Sequence, residues 1–351
     1  MKKGILIYAL NNEQMDYCKL AAYCAKNAKQ HLDLPVTIVT DSKGWFIQSN
    51  PDWEEYVDNF ISVVSEDIEM TINGQPISMF SLPDWEPGKV YYSGDWVIYN
   101  GEVFSANNNL LPIGYFDKTD WTKQSDNYFI HESKSQFRKI LDGAFAHKRL
   151  PFRNDIRVKS FDISPYDETL VIDCDVVINN NDLIHAWENL DKNFLIYRKS
   201  HDLSSWRDEL YFKRVSDYSI DFYWATIFWF RKDQDTWLFF ELLKHIEQNW
   251  NYYRYLFQIS EPLYRNDFAF SIAIHIMNGY QQSDWHGILP GKLYHILDQD
   301  VLVNHKDLSM TFLLAKENYW GEYTLMKTDS LTVHVMNKFS LNRAIDGYSY
   351  E

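Results

Sequence analysis

The chain lacks the features that mark several protein classes. Its 351 residues include only three cysteines, Cys18, Cys24 and Cys174, which show neither a disulfide framework nor the paired spacing of zinc ligands. No apolar run approaches the length of a membrane span, and Asn11 and Asn12 end the first apolar segment too early for a signal peptide. We therefore expect no membrane span, and a reducing cytoplasm is the predicted location.

Positive charge and glycine loops are also scarce. Lys and Arg total 34 against 49 Asp and Glu, a formal net charge of −15, which disfavours a general binder of nucleic acid or anionic membranes. The dinucleotide fingerprint Gly-x-Gly-x-x-Gly is absent after the first predicted strand. Hydrophobic residues, by contrast, make up 46% of the chain and aromatic residues 17%. That content is enough for one large core, alone or with a small extra module.

The opening of the chain has the alternation of a β-α-β unit. A strand is predicted over residues 3–9, an amphipathic helix over 13–31 and a second strand over 35–40. Such a unit requires a parallel sheet with a right-handed crossover. The predicted fold class is therefore α/β, with a Rossmann-like, mostly parallel sheet flanked by helices. Further helices are predicted over residues 132–147 and 267–277.

One stretch interrupts this alternation. Residues 83–125 contain many Pro, Gly and Asn residues between short β-type runs, and Asn100-Gly101 is a strong hairpin turn signal. The predicted organisation is an α/β domain formed by residues 1–82 and 126–351, with residues 83–125 as a small all-β module inserted in it.

An aspartate pair follows a continuous apolar strand. Asp173 and Asp175 come directly after residues 169–172, at the carboxyl edge of a predicted buried strand. Open α/β sheets bind ligands at this edge, and carboxylate oxygens suit Mg²⁺ or Mn²⁺. A metal site there requires that both carboxylates face one cleft and are not neutralised by lysine or arginine. Ordinary turn chemistry is the alternative interpretation.

The same triplet occurs twice more in a different context. Asp233 and Asp235 precede an apolar helix and are predicted to cap it, while Asp298 and Asp300 are predicted to lie in a turn. Only the first copy follows a β-branched run, so only that copy is a candidate metal site.

Residues 170–183 combine an apolar run, Asp-Cys-Asp, a second apolar run and a polar turn. This sequence segment resembles the corresponding segment of nucleotide-sugar-dependent glycosyltransferases of GT-A type, most nearly that of the glycogenin-like, family 8-like group. The resemblance covers most of residues 1–82 and 126–343 and implies a GT-A-like fold. It also implies transfer of a sugar, hexosyl or pentosyl, from a UDP-sugar donor to a hydroxyl acceptor, with Mn²⁺ or Mg²⁺ as cofactor.

The resemblance also assigns roles to particular residues. It implies a metal shell of Asp173, Asp175 and His334, and a catalytic or sugar-contacting role for Asp267. The residues that it places near the nucleotide and the phosphates are Tyr8, Asn11, Asn12, Asp41, Arg157, Lys159, Asp173 and Lys338. Capping, backbone hydrogen bonding and solvation are the structural alternatives for several of these side chains. The sequence after His334 departs from the family pattern, which leaves retention or inversion open.

The insert has its own resemblance. Its order of aromatic, turn and small residues, which includes Trp85, Tyr91, Tyr99 and Trp121, resembles a chitin-binding type carbohydrate-binding module. Where such modules usually continue into exposed aromatic residues, this chain has residues 107–109, all Asn. A carbohydrate-binding role, a spacer and a dimer contact are therefore all open.

The acceptor is not specified by the sequence. The chain looks like the small divergent proteins of large tailed bacteriophages. This resemblance implies a protein located in the host cytoplasm, with a hydroxymethylated base in phage DNA as one possible acceptor. Lys148, Arg149, Arg153 and Arg157 are the basic cluster for such an acceptor, and a glycan or a protein hydroxyl is equally open. The alternative functions are a non-catalytic carbohydrate-binding protein and a nucleotidyltransferase.

Overall fold

The computed structural model divides the chain into two compact units, one of Met1–Ser62 with Phe137–Glu351 and one of Val63–Gln136. The predicted insert, residues 83–125, lies inside the second unit. The structure describes residues 2–12, 14–62, 70–72, 75–77, 84–91, 96–100, 102–123, 137–144, 146–151, 156–188, 191–207, 212–279, 285–316 and 321–347.

Strands form most of the described framework. In chain order they are β1 (Lys3–Ala9), β2 (Val36–Thr40), β3 (Asn59–Ser62), β4 (Met70–Ile72), β5 (Gln75–Ile77), β6 (Trp96–Tyr99), β7 (Glu102–Ala106), β8 (Trp121–Lys123), β9 (Phe137–Asp142), β10 (Ala146–Pro151), β11 (Glu168–Asp173), β12 (Val176–Val177), β13 (Phe194–Tyr197), β14 (Ser200–Asp202), β15 (Trp224–Arg231), β16 (Gly287–Ile288), β17 (Leu293–Ile296), β18 (Val301–Lys306), β19 (Ser309–Ala315), β20 (Tyr323–Asp329) and β21 (Thr332–Val335).

The helices pack on or beside these strands. In chain order they are α1 (Tyr17–Leu32), α2 (Lys43–Ser49), α3 (Ser160–Ile163), α4 (Gln234–Gln248), α5 (Trp250–Leu256), α6 (Asn266–Met277) and α7 (Lys338–Gly347). Within the described ranges, none of them has the length and apolar character needed to cross a bilayer.

The main sheet of the first unit confirms the predicted fold class. Its described strands are seven, in the order β16-β13-β15-β11-β1-β2-β3. All run in one direction except β15, which is antiparallel to both of its neighbours. Every residue of β11 is buried, as expected for a strand covered on both faces of a parallel sheet. Helix α1 packs against β1 and β2, and α6 packs against β15.

The first helix begins later than its periodicity predicts. Asp16 is the N-cap of α1, and its carboxylate accepts a hydrogen bond from the backbone N–H of Lys19 at 3.0 Å. This contact satisfies one of the free N–H groups at the helix start. Residues 14–16 therefore belong to the loop that follows β1, while Glu13 lies outside the described residues.

The predicted helix over residues 132–147 is wrong where the structure describes it. Strands β9 and β10 form an antiparallel hairpin there, and residues 132–136 lie outside the described residues. The turn holds Gly143 at a φ of +76°, a left-handed conformation that glycine adopts without strain. The Asp142-Gly143 pair is a hairpin signal that outweighs the apolar pattern around it.

A smaller sheet extends from the end of the main sheet. Its strand order is β12-β21-β17-β14, and β12 pairs antiparallel with β21 so that Val176 lies opposite His334. Because only two residues separate the end of β11 from the start of β12, this pairing brings the C-terminal part of the chain to the carboxyl edge of the main sheet.

The described part of the second unit contains a three-stranded sheet of β6, β7 and β8. Strands β6 and β7 pair antiparallel on either side of Asn100, which has a φ of +52°, in agreement with the predicted turn. Tyr91, Phe104 and Trp121 are buried together in the core of this unit. Tyr91 and Trp121, which carry the resemblance to a carbohydrate-binding module, are therefore part of this unit's own core.

One buried histidine gives the fold a dependence on pH. His305 in β18 is 3% exposed and contacts the Tyr23 hydroxyl of α1, and burial lowers its pKa from 6.5 to about 4. Between these values the unfolded chain binds a proton that the folded chain does not bind. The free energy of unfolding should therefore fall as the pH is lowered from about 6.5 to about 4.

We expect His305→Gln to reduce this fall by up to about 1.4 kcal/mol per pH unit. Urea unfolding of both proteins at several pH values between 7 and 4.5 measures the difference. If the two curves of stability against pH are parallel, His305 does not carry the dependence.

Candidate functional site

The two aspartates of the predicted site lie together at the carboxyl edge of the main sheet. Asp173 is the last residue of β11 and lies beside Tyr8 of β1 in the strand register. Asp175 follows in the turn before β12. The two residues are only 9% and 2% exposed, so their carboxylates are largely removed from water. Buried carboxylates require a compensating charge or hydrogen bonds.

His334 reaches the same place from the other end of the chain. The backbone N–H of Val335 donates to the Asp175 carbonyl oxygen at 2.9 Å, and His334 Nε2 lies 3.3 Å from Asp175 Oδ2. One ligand atom from each of Asp173, Asp175 and His334 lies within 4.8 Å of the other two. Two metal–ligand bonds of about 2.1 Å nearly span that distance, so the residues fit a divalent ion such as Mn²⁺ or Mg²⁺.

Two residues that were not predicted hold the imidazole of His334. His334 Nδ1 lies 3.5 Å from Thr226 Oγ1, and the ring of Trp224 packs edge-on at a centroid distance of 6.2 Å. Partners of the second ring nitrogen orient metal-binding histidines. Both residues belong to β15, the antiparallel strand whose amino end lies at the carboxyl edge of β11. A prediction that β15 pairs antiparallel with β11 would have placed these two residues beside the aspartates.

Each aspartate is also ion-paired, and here the sequence-based expectation is wrong. The Arg157 guanidinium contacts Asp173 Oδ1, and the Lys338 ammonium contacts Asp175 Oδ2. The physical reason is burial, because two neighbouring carboxylates out of water need positive charge when no metal ion is bound. The two pairs therefore describe the metal-free site, and an ion bound there would have to displace Lys338 from Asp175. The two carboxylates and the two cations paired with them carry charges that sum to zero.

The charges of the site separate the pKa values of the two carboxyl groups. Burial raises the pKa of Asp173, and the nearby Asp175 charge adds to that effect, which outweighs the opposing influence of Arg157. Burial also acts to raise the pKa of Asp175, but Lys338 and His334 outweigh it and hold that pKa well below its usual range. Asp175 is therefore the carboxylate that stays ionised and available as a ligand.

The site reaches the protein surface through its basic side chains. Arg157, His334 and Lys338 keep 17%, 12% and 20% of their side-chain surface exposed. Lys338 is the first residue of α7, and Arg157 belongs to a 3-10 helix of residues Ile156–Lys159. An anionic ligand can therefore approach the basic groups from solvent.

Comparisons with solved structures give glycosyltransferases at low identity. The galactosyltransferase LgtC, solved with donor and acceptor sugar analogs, is 12% identical over 81% of this chain and 72% of its own, with a TM-score of 0.36. GlyE of Streptococcus pneumoniae is 11% identical over 82% of this chain and 45% of its own, with a TM-score of 0.35. Mouse xyloside xylosyltransferase 1 is 10% identical over 82% of this chain and 85% of its own, with a TM-score of 0.38.

No protein-family model and no curated protein sequence matches the chain. Because the TM-scores are low, the chemistry proposed below rests on the residues of this chain alone.

Several residues predicted to bind the nucleotide lie at the ends of β1 and β2, the strands next to β11 in the sheet. The backbone N–H of Asn11 donates to Asp41 Oδ1 at 3.1 Å, which joins the loops after β1 and β2. Asn12 Oδ1 accepts hydrogen bonds from the backbone N–H groups of Gln14 and Met15, a local turn contact. Asn11 and Asp41 are therefore brought together, while the Asn12 side chain is engaged within its own loop.

Tyr8 is placed to support the site. It is 6% exposed, and its hydroxyl lies 2.7 Å from Ser160 Oγ. The Ser160 hydroxyl donates to the Arg157 carbonyl oxygen at 2.7 Å. The chain of contacts from β1 therefore runs through Ser160 to the turn that carries Arg157 and, two residues later, Lys159.

Asp267 lies near the site but is held by other groups. Its Oδ1 accepts from the backbone N–H of Ala225 at 2.9 Å, and its Oδ2 lies 3.1 Å from Arg265 Nη2. It is the second residue of α6, not its N-cap, which is Arg265. Its negative charge nevertheless contributes to raising the pKa of Arg157. A role for Asp267 in the reaction stays a prediction.

Arg343 of α7 pairs with Asp142 of β9 through both carboxylate oxygens, at 2.7 and 2.8 Å. Of the basic cluster predicted for a DNA acceptor, Arg157 is paired with Asp173 inside the site, and Arg153 lies outside the described residues.

The other two aspartate triplets have the structural roles that were predicted for them. Asp233 forms a capping box with Thr236 at the start of α4. Asp298 accepts from the backbone N–H of Leu141, and buried Asp300 pairs with Arg207. Within the described residues, only the triplet at β11 has a histidine beside both of its carboxylates.

The pairing of Lys338 with Asp175 predicts a specific change in stability. Lys338→Met leaves a buried carboxylate without its cation, so we expect the free energy of unfolding without metal to fall by about 3 kcal/mol. Mn²⁺ should restore more stability to this variant than it adds to the parent protein, because the ion replaces the missing charge. Urea unfolding with and without Mn²⁺ measures both effects.

Lys316→Met is the matched control. Lys316 pairs with Glu322 at 3.2 Å, but the two side chains are 44% and 54% exposed. Exposed pairs contribute about 1 kcal/mol or less, so this variant should differ little from the parent. A response of Lys338→Met to Mn²⁺ no larger than that of the parent would contradict a metal site at Asp175.

Proposed function

We propose that the protein is a metal-dependent glycosyltransferase that moves a sugar from a UDP-sugar to a hydroxyl acceptor. The observation that carries this proposal is the charge balance of the cluster formed by Asp173, Asp175, Arg157, Lys338 and His334. Without metal the charges of its two ion pairs sum to zero, and a divalent cation would add two positive charges. The loaded site then matches the doubly charged diphosphate of a sugar nucleotide.

This balance predicts that metal and nucleotide bind together. A metal ion alone places an unmatched double charge at a half-buried site, and a diphosphate alone meets a neutral cluster. Each ligand therefore improves the site for the other, so the coupling free energy between the two is favourable.

The residues present define what the protein contributes. Asp175, His334 and Asp173 would hold Mn²⁺ or Mg²⁺, which when bound neutralises charge on the departing diphosphate. With a metal ion held at Asp175, Lys338 would face the phosphates, and Arg157 would remain beside Asp173. Such preorganised cations stabilise a leaving group because they need no rearrangement as charge develops.

The residues that contact the sugar and the acceptor are assigned less specifically than the metal ligands. Asp267 lies close enough to Arg157 to influence its pKa and is our candidate for a contact with the sugar or the acceptor hydroxyl. Its two hydrogen-bonding partners favour a positioning role in the ground state. The acceptor is a hydroxyl group on a glycan, a protein or a modified DNA base.

The test is a thermal unfolding experiment with UDP, Mn²⁺ and both together. We expect the shift of the unfolding midpoint with both ligands to exceed the sum of the separate shifts. Saturation at about 100 times the dissociation constant corresponds to about 2.7 kcal/mol of stabilisation. Asp175→Asn should abolish the shift that requires both ligands.

Asp235→Asn is the matched control, because Asp235 stands in an Asp-x-Asp triplet with a capping role. It should retain the full response. A screen of UDP-sugars for release of UDP then identifies the donor by slow hydrolysis. Release of pyrophosphate instead would indicate a nucleotidyltransferase, and retained oligosaccharide binding with no response to UDP and Mn²⁺ would indicate a carbohydrate-binding protein.

A further inference from the structure

The carboxyl ends of β1 and β2 are joined by polar contacts that end on an exposed tryptophan. Asn11 donates its backbone N–H to Asp41 Oδ1 and accepts from the Tyr17 backbone N–H at 2.8 Å. One residue before Tyr17, the Asp16 carboxylate accepts from Trp45 Nε1 at 3.0 Å. Trp45 is therefore fixed to the same loop that carries Asn11.

The ring of Trp45 keeps a large accessible surface. The residue is 49% exposed, although the next residue of α2, Phe46, is fully buried. A single exposed aromatic residue is common on protein surfaces, so exposure alone shows nothing. The inference depends instead on the position of Trp45 relative to the charged cluster.

The distance to the charged cluster matches a nucleotide. Strands β11, β1 and β2 are consecutive neighbours in the sheet. Two strand spacings of about 4.8 Å place the end of β2 about 10 Å from the end of β11 along the same edge. With its diphosphate at the cluster, a nucleoside diphosphate extends its ribose and base over such a distance. The base then reaches the loops that hold Asn11, Asp41 and Trp45.

Trp45 is the aromatic side chain suited to receive a base there. The sequence of residues 9–16 and 40–45, from the ends of β1 and β2 onward, contains one aromatic residue, Trp45, which lies in the first turn of α2. Tyr8 at the end of β1 is buried, and its hydroxyl contacts Ser160. Nucleobases bind through stacking on accessible aromatic faces, and an anchored ring loses little freedom when a base stacks on it.

We propose that Trp45 stacks on the nucleoside base of the donor, with Asp16 fixing the indole ring. This assignment rests on the proposed function, because it places the diphosphate at Asp175 and Lys338. It adds a determinant of nucleotide affinity on α2, outside the metal cluster. The polar groups of Asn11 and Asp41 lie beside the same position and suit the edge of a base or a ribose hydroxyl.

The test compares two ligands that share phosphates but not a base. Calorimetric titration in Mn²⁺ gives the dissociation constants of UDP and of inorganic pyrophosphate for the parent, Trp45→Ala and Trp45→Phe. We expect Trp45→Ala to weaken UDP binding about tenfold and to leave pyrophosphate binding unchanged. Trp45→Phe should recover most of the loss. Trp237→Ala is the matched control, because Trp237 is 47% exposed on α4.

Each outcome decides between the two proposals. If the parent binds UDP with Mn²⁺ and Trp45→Ala binds it equally well, the stacking role is wrong and the proposed function stands. If Trp45→Ala weakens UDP and pyrophosphate equally, the change disturbs the site in general and the stacking role is also wrong. If the parent binds neither ligand with Mn²⁺, both proposals fail.

Discussion

Two buried carboxylates at the end of β11 need positive charge, and the chain supplies it from distant segments. Arg157 comes from a turn that precedes β11, and Lys338 and His334 come from the C-terminal region. An unpaired charge in this position costs several kcal/mol. Electrostatic pairing at Asp173 and Asp175 therefore links the main sheet, β21 and α7 into one arrangement.

Neighbouring contacts hold each cation in place. The Arg157 turn is tied to β1 through Ser160 and Tyr8. Helix α7, which begins at Lys338, is tied to the β9–β10 hairpin through the double contact of Arg343 with Asp142. The basic groups are thus presented on regular elements, as expected for a site that must keep its geometry when ligands change its charge.

The same electrostatics connect stability with ligand binding. Without a metal ion the charges of the two ion pairs sum to zero, so the folded chain does not depend on metal to balance them. Under the proposed function, a bound divalent ion would make the cluster positive and suit it to an anion. Lys338 would then have two roles, since it neutralises a carboxylate without the ion and would be available to a phosphate group with it.

The sequence by itself determined the fold class and the position of the aspartate pair. Continuous apolar strands, a capped amphipathic helix and the Asp-x-Asp triplet after residues 169–172 are local patterns, and local patterns report strands, helices and the residues at their ends. They misled where two patterns competed, as in the β9–β10 hairpin. Tertiary structure alone decided that Lys338 and Arg157 pair with the aspartates, and that Thr226, Trp224 and Trp45 lie at the edge of the sheet. These contacts join residues far apart in the chain, and no local pattern encodes which distant cation pairs with a buried carboxylate.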